Sequence, residues 1–176
     1  IDILVSNAGN FPQSQSLALM TDDNWQKSLD LNLSSHMRVM RACLPYLREG
    51  FDPAVVIIAS KNVPAPGPGA SAYSSAKAGL TQMARVAALE LAADGIRVNV
   101  LHPNAVYDTA IWTKEVLADR AALYGLSVQK YKTANLLHEE VTSKDVARAV
   151  TLFAGTELGK TTGSQLPIDG GNDRVI

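Results

Sequence analysis

Ala54-Val55-Val56-Ile57-Ile58-Ala59 decides the fold. The run is apolar at every position rather than at alternate ones, so a strand formed here needs cover on both faces, as inside a parallel sheet. Working outward, three further short runs have strand character: Ile3-Leu4-Val5, Ile96-Arg97-Val98-Asn99-Val100-Leu101 and Gln165-Leu166-Pro167-Ile168. Helical patterns separate them. Thr21-Asp22-Asp23 supplies a cap and an acidic first turn. Trp25, Leu29, Leu33, Met37, Met40 and Leu44 then recur at spacings of three and four, which predicts one core-facing stripe ended by Pro45 and Gly50. Pro64-Ala65-Pro66-Gly67-Pro68-Gly69 reads as a loop, because proline and glycine interrupt both regular structures. An alanine-rich helix is predicted over 71–93, stopped by Asp94-Gly95. A last helix runs from Thr142-Ser143 through Val146, Val150 and Phe153 to Gly155. Strands alternating with long helices predict an α/β fold with right-handed crossovers.

The chain has 176 residues, enough for one core, and shows no internal repeat, linker or low-complexity tract, so a single domain over 1–176 is expected. Lys+Arg 16 against Asp+Glu 17 leaves a net charge of −1, which argues against nucleic acid or a polybasic membrane contact as partner. One cysteine excludes an internal disulfide and a Cys-based zinc cluster, and no metal is expected; it suits a reducing, cytoplasmic location. No apolar run approaches the roughly 20 residues that span a bilayer. Ile1-Asp2-Ile3-Leu4-Val5-Ser6 starts in strand character, so the chain reads as part of a longer protein.

Chemistry concentrates in Tyr73-Ser74-Ser75-Ala76-Lys77, which sets a phenol and an ammonium four residues apart on one helix face. A free tyrosine titrates near about 10, and a cation close by lowers that by roughly 1–3 units, enough to make a general acid or base. The spacing alone is common on exposed helices. Ser60, thirteen positions earlier, closes the strand 54–59 and places a hydroxyl at the mouth of the ligand crevice of an open α/β sheet. Asn32 is a polar residue in the middle of the first helix, near its apolar face; the plain alternative is a solvent-facing helix asparagine. Asn7-Ala8-Gly9 is a small-residue turn that admits close approach by a ligand or a neighbouring backbone. The irregular region of about 104–140 holds Tyr107, Trp112, Tyr124, Tyr131 and His138, and reads either as packing aromatics or as a substrate lid.

Together these residues resemble the short-chain dehydrogenase/reductase family over essentially the whole chain. The resemblance implies a Rossmann-like fold, here the C-terminal half of a doubly wound parallel sheet with flanking helices. It implies a catalytic set of Asn32, Ser60, Tyr73 and Lys77. Tyr73 would exchange the substrate proton and Ser60 hold the substrate oxygen. Lys77 would bind the nicotinamide ribose and depress the Tyr73 pKa, while Asn32 positions a water. Cofactor contacts would come from Asn7, Ala8, Gly9, Tyr73, Lys77, Pro103, Asn104, Val106 and Thr109, with NAD or NADP as cofactor and NAD favoured. Asp169-Gly170-Gly171 resembles the family's C-terminal signature. A small alcohol or aldehyde is the implied substrate and a homo-oligomer the implied assembly, whose helix faces are rich in methionine and alanine.

Two departures stand out. Pro103-Asn104 replaces the family's Pro-Gly; asparagine tolerates a left-handed backbone, so the turn is expected to survive. His102 beside it reads as a packing or orienting residue rather than a proton donor. The glycine-rich phosphate loop has no counterpart, which leaves the nicotinamide and substrate half, roughly 70–90 residues short at about 30 per βα unit and expected to be inactive alone. The stretches 61–70 and 102–109 and the ending Asp169-Gly170-Gly171-Asn172-Asp173-Arg174-Val175-Ile176 are similar to the dehydrogenase half of bifunctional rhamnulose-1-phosphate aldolase/alcohol dehydrogenases. That subgroup implies lactaldehyde oxidation in deoxy-sugar catabolism and fusion to a class II aldolase. A non-catalytic assembly module is the alternative, and the four catalytic types speak against it. Cofactor-independent halohydrin dehalogenases carry arginine where Lys77 stands.

Overall fold

In the computed structural model residues 1–11 and 14–171 are described. Four strands, β1 (Ile3–Ser6), β2 (Ala54–Ile58), β3 (Arg97–Pro103) and β4 (Gln165–Ile168), form one sheet in the order β1-β2-β3-β4, with every pair parallel. Parallel neighbours need a crossover, and helices supply each one: α1 (Asp22–Leu29) and α2 (Ser35–Leu47), then α3 (Ser71–Leu91), then α4 (Lys114–Leu123), α5 (Val128–Lys132) and α6 (Ser143–Ala154). The result is the α/β architecture expected from the alternation, in the Rossmann-like form that the resemblance implies.

All five residues of β2 are buried. Val55 and Ile57 pack with Leu80, Ala84 and Leu91 of α3, while Val56 and Ile58 pack on the other face with Ala149 and Phe153 of α6. Each such valine or isoleucine stabilises the fold by about 1.5–3 kcal/mol, which is why this run anchors the sheet. β1 forms an edge. Leu4 joins the α2–α3 side, but Ile3 and Val5 point to the other face and stay 49% and 43% exposed, beyond the cover of α6.

The ends of the helices follow their sequence signals. Thr21 Oγ1 accepts from Asn24 N–H at 3.2 Å to open α1, and Thr142 N–H donates to Asp145 at 2.9 Å to open α6. After α3 a short turn ends at Gly95, whose φ of 71° is left-handed. Pro45 does not end its helix; α2 runs on to Leu47, because a proline in the last turn removes one bond while Arg48 N–H still reaches Leu44 O at 3.1 Å. β3 extends through His102 and Pro103, where the missing N–H does no harm and the Pro103 carbonyl accepts from Lys61 N–H at 2.9 Å.

The largest departure lies between α1 and α2. They are joined by a π turn, Asp30–Ser34, rather than by continuous α-helix. One extra residue in a turn rotates everything after it. The buried line becomes Ser28, Asn32, His36 and Met40, at steps of four, whereas Met37 of the predicted core stripe is exposed and Leu33 and Leu44 are half-buried. Leu33 rests on Gly79 of α3, where an added Cβ would come within 3.1 Å of its Cδ2.

Candidate active site

Strands β1 to β3 end at one crevice. Ser60, two residues past β2, is buried, and its Oγ accepts from Asn62 N–H at 3.1 Å. Its carbonyl lies 2.9 Å from His102 Nδ1, and His102 Nε2 lies 3.1 Å from Gln165 Oε1. His102 thus ties the end of β2 to β4, as an orienting residue does.

Helix α3 sets Tyr73 and Lys77 one turn apart beside Ser60, with the Lys77 ammonium 6.0 Å from the Tyr73 ring centre. Lys77 is buried and donates to Ile58 O at 2.9 Å. Burial pushes its ammonium down to about 8. Burial also pushes the Tyr73 phenol above its ordinary value, with the Ser60 hydroxyl pulling the other way. The depression of Tyr73 expected from Lys77 is therefore not found. Desolvation of the phenol dominates.

The π turn points Asn32 inward. It is 1% exposed, so the solvent-facing alternative is set aside. Its Oδ1 accepts from Asn10 N–H and its Nδ2 donates to Asn10 O, both at 3.0 Å, with a weaker bond to Ser28 Oγ at 3.3 Å. This clamps the turn Asn7-Ala8-Gly9 against the site. A Cβ on Gly9 would lie 3.1 Å from Asn32 Oδ1 and 3.3 Å from Lys77 Nζ, so no side chain fits there without displacement.

Two neighbours escaped the sequence reading. His36, one turn after Asn32, is buried with Nδ1 2.6 Å from Ser6 Oγ. Its Nε2 has no hydrogen-bond partner among the described residues. Burial, then the Lys77 charge, lower its pKa to about 4; the Ala8 backbone opposes the shift without closing a well-formed bond. The polar row Ser28, Asn32, His36 at steps of four was the signal for it. Phe11 packs edge-on against the Tyr73 ring with centres 5.0 Å apart, and nothing in its local sequence marks it.

Beyond β3, Asn104 N–H donates to Ile168 O at 2.9 Å and extends the ladder. Among the described residues only Asp52 and His138 are non-glycine positions with positive φ, so the left-handed backbone expected at Asn104 is absent; ladder pairing holds it extended. Thr109 Oγ1 donates to Val106 O at 2.8 Å. Asp108 clasps the start of α6, accepting from Ser143 N–H at 2.9 Å and Oγ at 2.7 Å, and these bonds hold its carboxyl below the usual range. Between the two ends lie α4 and α5 with a cluster of rings: Tyr107 and Trp112 at 5.0 Å, Tyr107 and Tyr131 at 6.0 Å, Tyr124 stacked on Tyr131 at 5.7 Å. Asp169-Gly170-Gly171 pins the turn after α5, since Leu136 and Leu137 N–H donate to the carbonyls of Gly171 and Gly170. A Cβ on Gly170 would come within 2.6 Å of Asn135. Asn172–Ile176 of the sequence-stretch resemblance lie outside the described residues.

Residues 1–173 match the family model described as enoyl-(acyl carrier protein) reductase. The chain belongs to the short-chain dehydrogenase/reductase family. It is 33% identical over 177 residues to the uncharacterized oxidoreductase YuxG of Bacillus subtilis, covering 97% of this chain and 26% of that protein. It is 34% identical over 171 residues to the 3-oxoacyl-[acyl-carrier-protein] reductase FabG of Haemophilus influenzae, covering 97% and 66%. An NADPH-bound short chain oxidoreductase from Pseudomonas aeruginosa PAO1 superposes with a TM-score of 0.87 at 31% identity, over 99% of this chain and 66% of that one. The chain therefore spans about a quarter of YuxG and about two thirds of the other two. The nicotinamide nucleotide that the family implies fits the residues present: Lys77 Nζ stands beside the Gly9 turn and uses only one of its three donors on Ile58.

Proposed function

We propose that this chain is the nicotinamide- and substrate-binding part of an NAD(P)-dependent short-chain dehydrogenase/reductase, set within a longer protein, that interconverts an alcohol and its carbonyl compound. The reading rests on one observation: Ser60, Tyr73 and Lys77 meet at the end of β2, with Asn32 clamping the Gly9 turn behind them. When bound, the nicotinamide ring supplies or takes the hydride. Tyr73 holds or takes the substrate hydroxyl proton, and Ser60 donates to the same substrate oxygen. Lys77, with Asn7, Ala8 and Gly9, holds the ribose side of the nucleotide, and Pro103, Asn104, Val106 and Thr109 hold the nicotinamide side. NAD is favoured over NADP.

The resemblance to the aldolase-linked subgroup supports lactaldehyde as the first compound to assay and a class II aldolase as the fused neighbour; YuxG, about four times the length of the matched stretch, is in keeping with such a parent. A homo-oligomer is favoured by the exposed groove between α2 and α3, about 160 Å³, lined by Met37, Arg41, Leu44, Met83, Val86 and Glu90. Among the described residues no helix is long and apolar enough to cross a membrane, and we assign the protein to the cytoplasm.

In the full-length protein, Tyr73→Phe is expected to lower kcat/KM by about 10²–10⁴-fold while dinucleotide binding persists. Turnover within about twofold of wild type would remove Tyr73 from the chemistry. Full-length protein that binds a dinucleotide and turns over no alcohol would favour the assembly-module alternative.

A further inference from the structure

Helix α4 crosses to the mouth of the crevice through one side chain. The Arg120 guanidinium lies 5.5 Å from the centre of the Phe11 ring, and Phe11 in turn meets the Tyr73 ring at 5.0 Å. Arg120 is half-buried and its charge reaches Tyr131, whose ring stacks with Tyr124. The Phe11 ring therefore covers one side of it. Among the described residues it has no carboxylate partner, although ion pairs form elsewhere on the chain. The nearby acid of the same region, Glu140, is taken by Lys132 at 2.6 Å. Asp119 and Glu115 share α4 with Arg120 and are both exposed to solvent.

A guanidinium held against an aromatic face keeps its planar edge free for an oxyacid, which it meets with two parallel hydrogen bonds. Partial removal from water strengthens that contact over an exposed one. We propose that Arg120 selects the substrate of this site, taking a carboxylate or phosphate group carried on the substrate away from the carbon that reacts at Tyr73. Phe11 sits between the two and packs the intervening carbons. The anionic group makes and breaks no bond; it orients the substrate and excludes uncharged analogues. The inference rests on the dehydrogenase reading and narrows its substrate class, so that lactaldehyde, which is uncharged, becomes the weaker ligand.

The test uses the full-length protein and calorimetric titration with three small carbonyl compounds: hydroxyacetone, acetoacetate and dihydroxyacetone phosphate. Wild type is expected to bind at least one of the two anions about tenfold or more tighter than hydroxyacetone, and the tighter anion tells which oxyacid the site takes. Arg120→Gln is expected to collapse that ratio to within roughly threefold, and Arg120→Lys to restore part of it, since a point charge replaces the fork. No anion preference in wild type, or a preference that Arg120→Gln leaves intact, overturns the proposal. Near-ultraviolet circular dichroism of each variant checks the fold. Turnover of propane-1,2-diol, 3-hydroxybutyrate and glycerol 3-phosphate is followed separately. Absence of all three activities counts against the dehydrogenase reading, while the binding ratio decides the role of Arg120 by itself.

Discussion

Replacing Lys77 by methionine separates what the chemistry needs from what the fold tolerates. Lys77 is 3% exposed, and burial holds its ammonium at about 8 instead of 10.5. At about 1.36 kcal/mol per unit, that difference is about 3 kcal/mol. Below the folded-state value the ammonium is charged in both states, and the fold bears the whole cost of desolvation. Between about 8 and 10.5 the folded chain gives up its proton while the unfolded chain keeps it, so the unfolding free energy rises with pH. Methionine is of similar length and uncharged. It recovers the desolvation cost near neutrality but leaves the Ile58 carbonyl without its 2.9 Å donor, a loss of about 1–2 kcal/mol. The variant is therefore expected to be more stable than wild type by about 1–2 kcal/mol near pH 7, and to lose dehydrogenase activity. Urea titrations near pH 7 and pH 9.5 read both parts. Wild type should gain about 2 kcal/mol over that interval from this group and the variant nothing; the buried tyrosines, which titrate at higher pH, cancel in the difference. A Lys77→Met chain less stable than wild type near neutrality, or an identical pH response in both chains, would refute the reasoning.

His36 acts in the opposite pH range. Its folded-state value of about 4 lies below the ordinary 6.5, so the fold has full stability above 6.5 and loses up to about 3 kcal/mol as pH falls toward 4. His36→Gln should flatten that acid limb in denaturation midpoints, and an unchanged limb would exonerate the histidine. Gly9→Ala is expected to push on Asn32 and Lys77, which are themselves held by Asn10 and Ile58. A loss of about 1 kcal/mol in stability and about tenfold in kcat/KM should follow; wild-type turnover would show that the turn moves aside freely. Asp108→Ala removes both bonds to Ser143, and hydrogen exchange over 104–109 should quicken while that of β2 stays slow. Equal exchange in the two proteins would mean that the clasp does not order the loop.

Much of the site was legible because its signals are local. The Tyr73–Lys77 spacing, Ser60 at a strand end, the Asn7-Ala8-Gly9 turn and His102 at the end of the third strand need only strand and helix periodicity to be placed near one crevice. The inward turn of Asn32 was not legible. An α-helix and a π turn share the same residue preferences, and the choice depends on Asn10 and on the close approach of Gly79, both distant in sequence. The Tyr73 shift also ran against expectation. Charge spacing can be read from the chain, whereas desolvation depends on what encloses the ring.

Burial demand and capping act over a few neighbouring residues, so a strand apolar on both faces already specifies the parallel sheet, and Thr21, Gly95 and Thr142 the helix boundaries. Which polar side chains turn inward, the Lys77 bond to Ile58 O and the reach of Arg120 to Phe11 across more than a hundred residues came only with the assembled fold. Those outcomes are set by packing between distant segments, which no local pattern encodes.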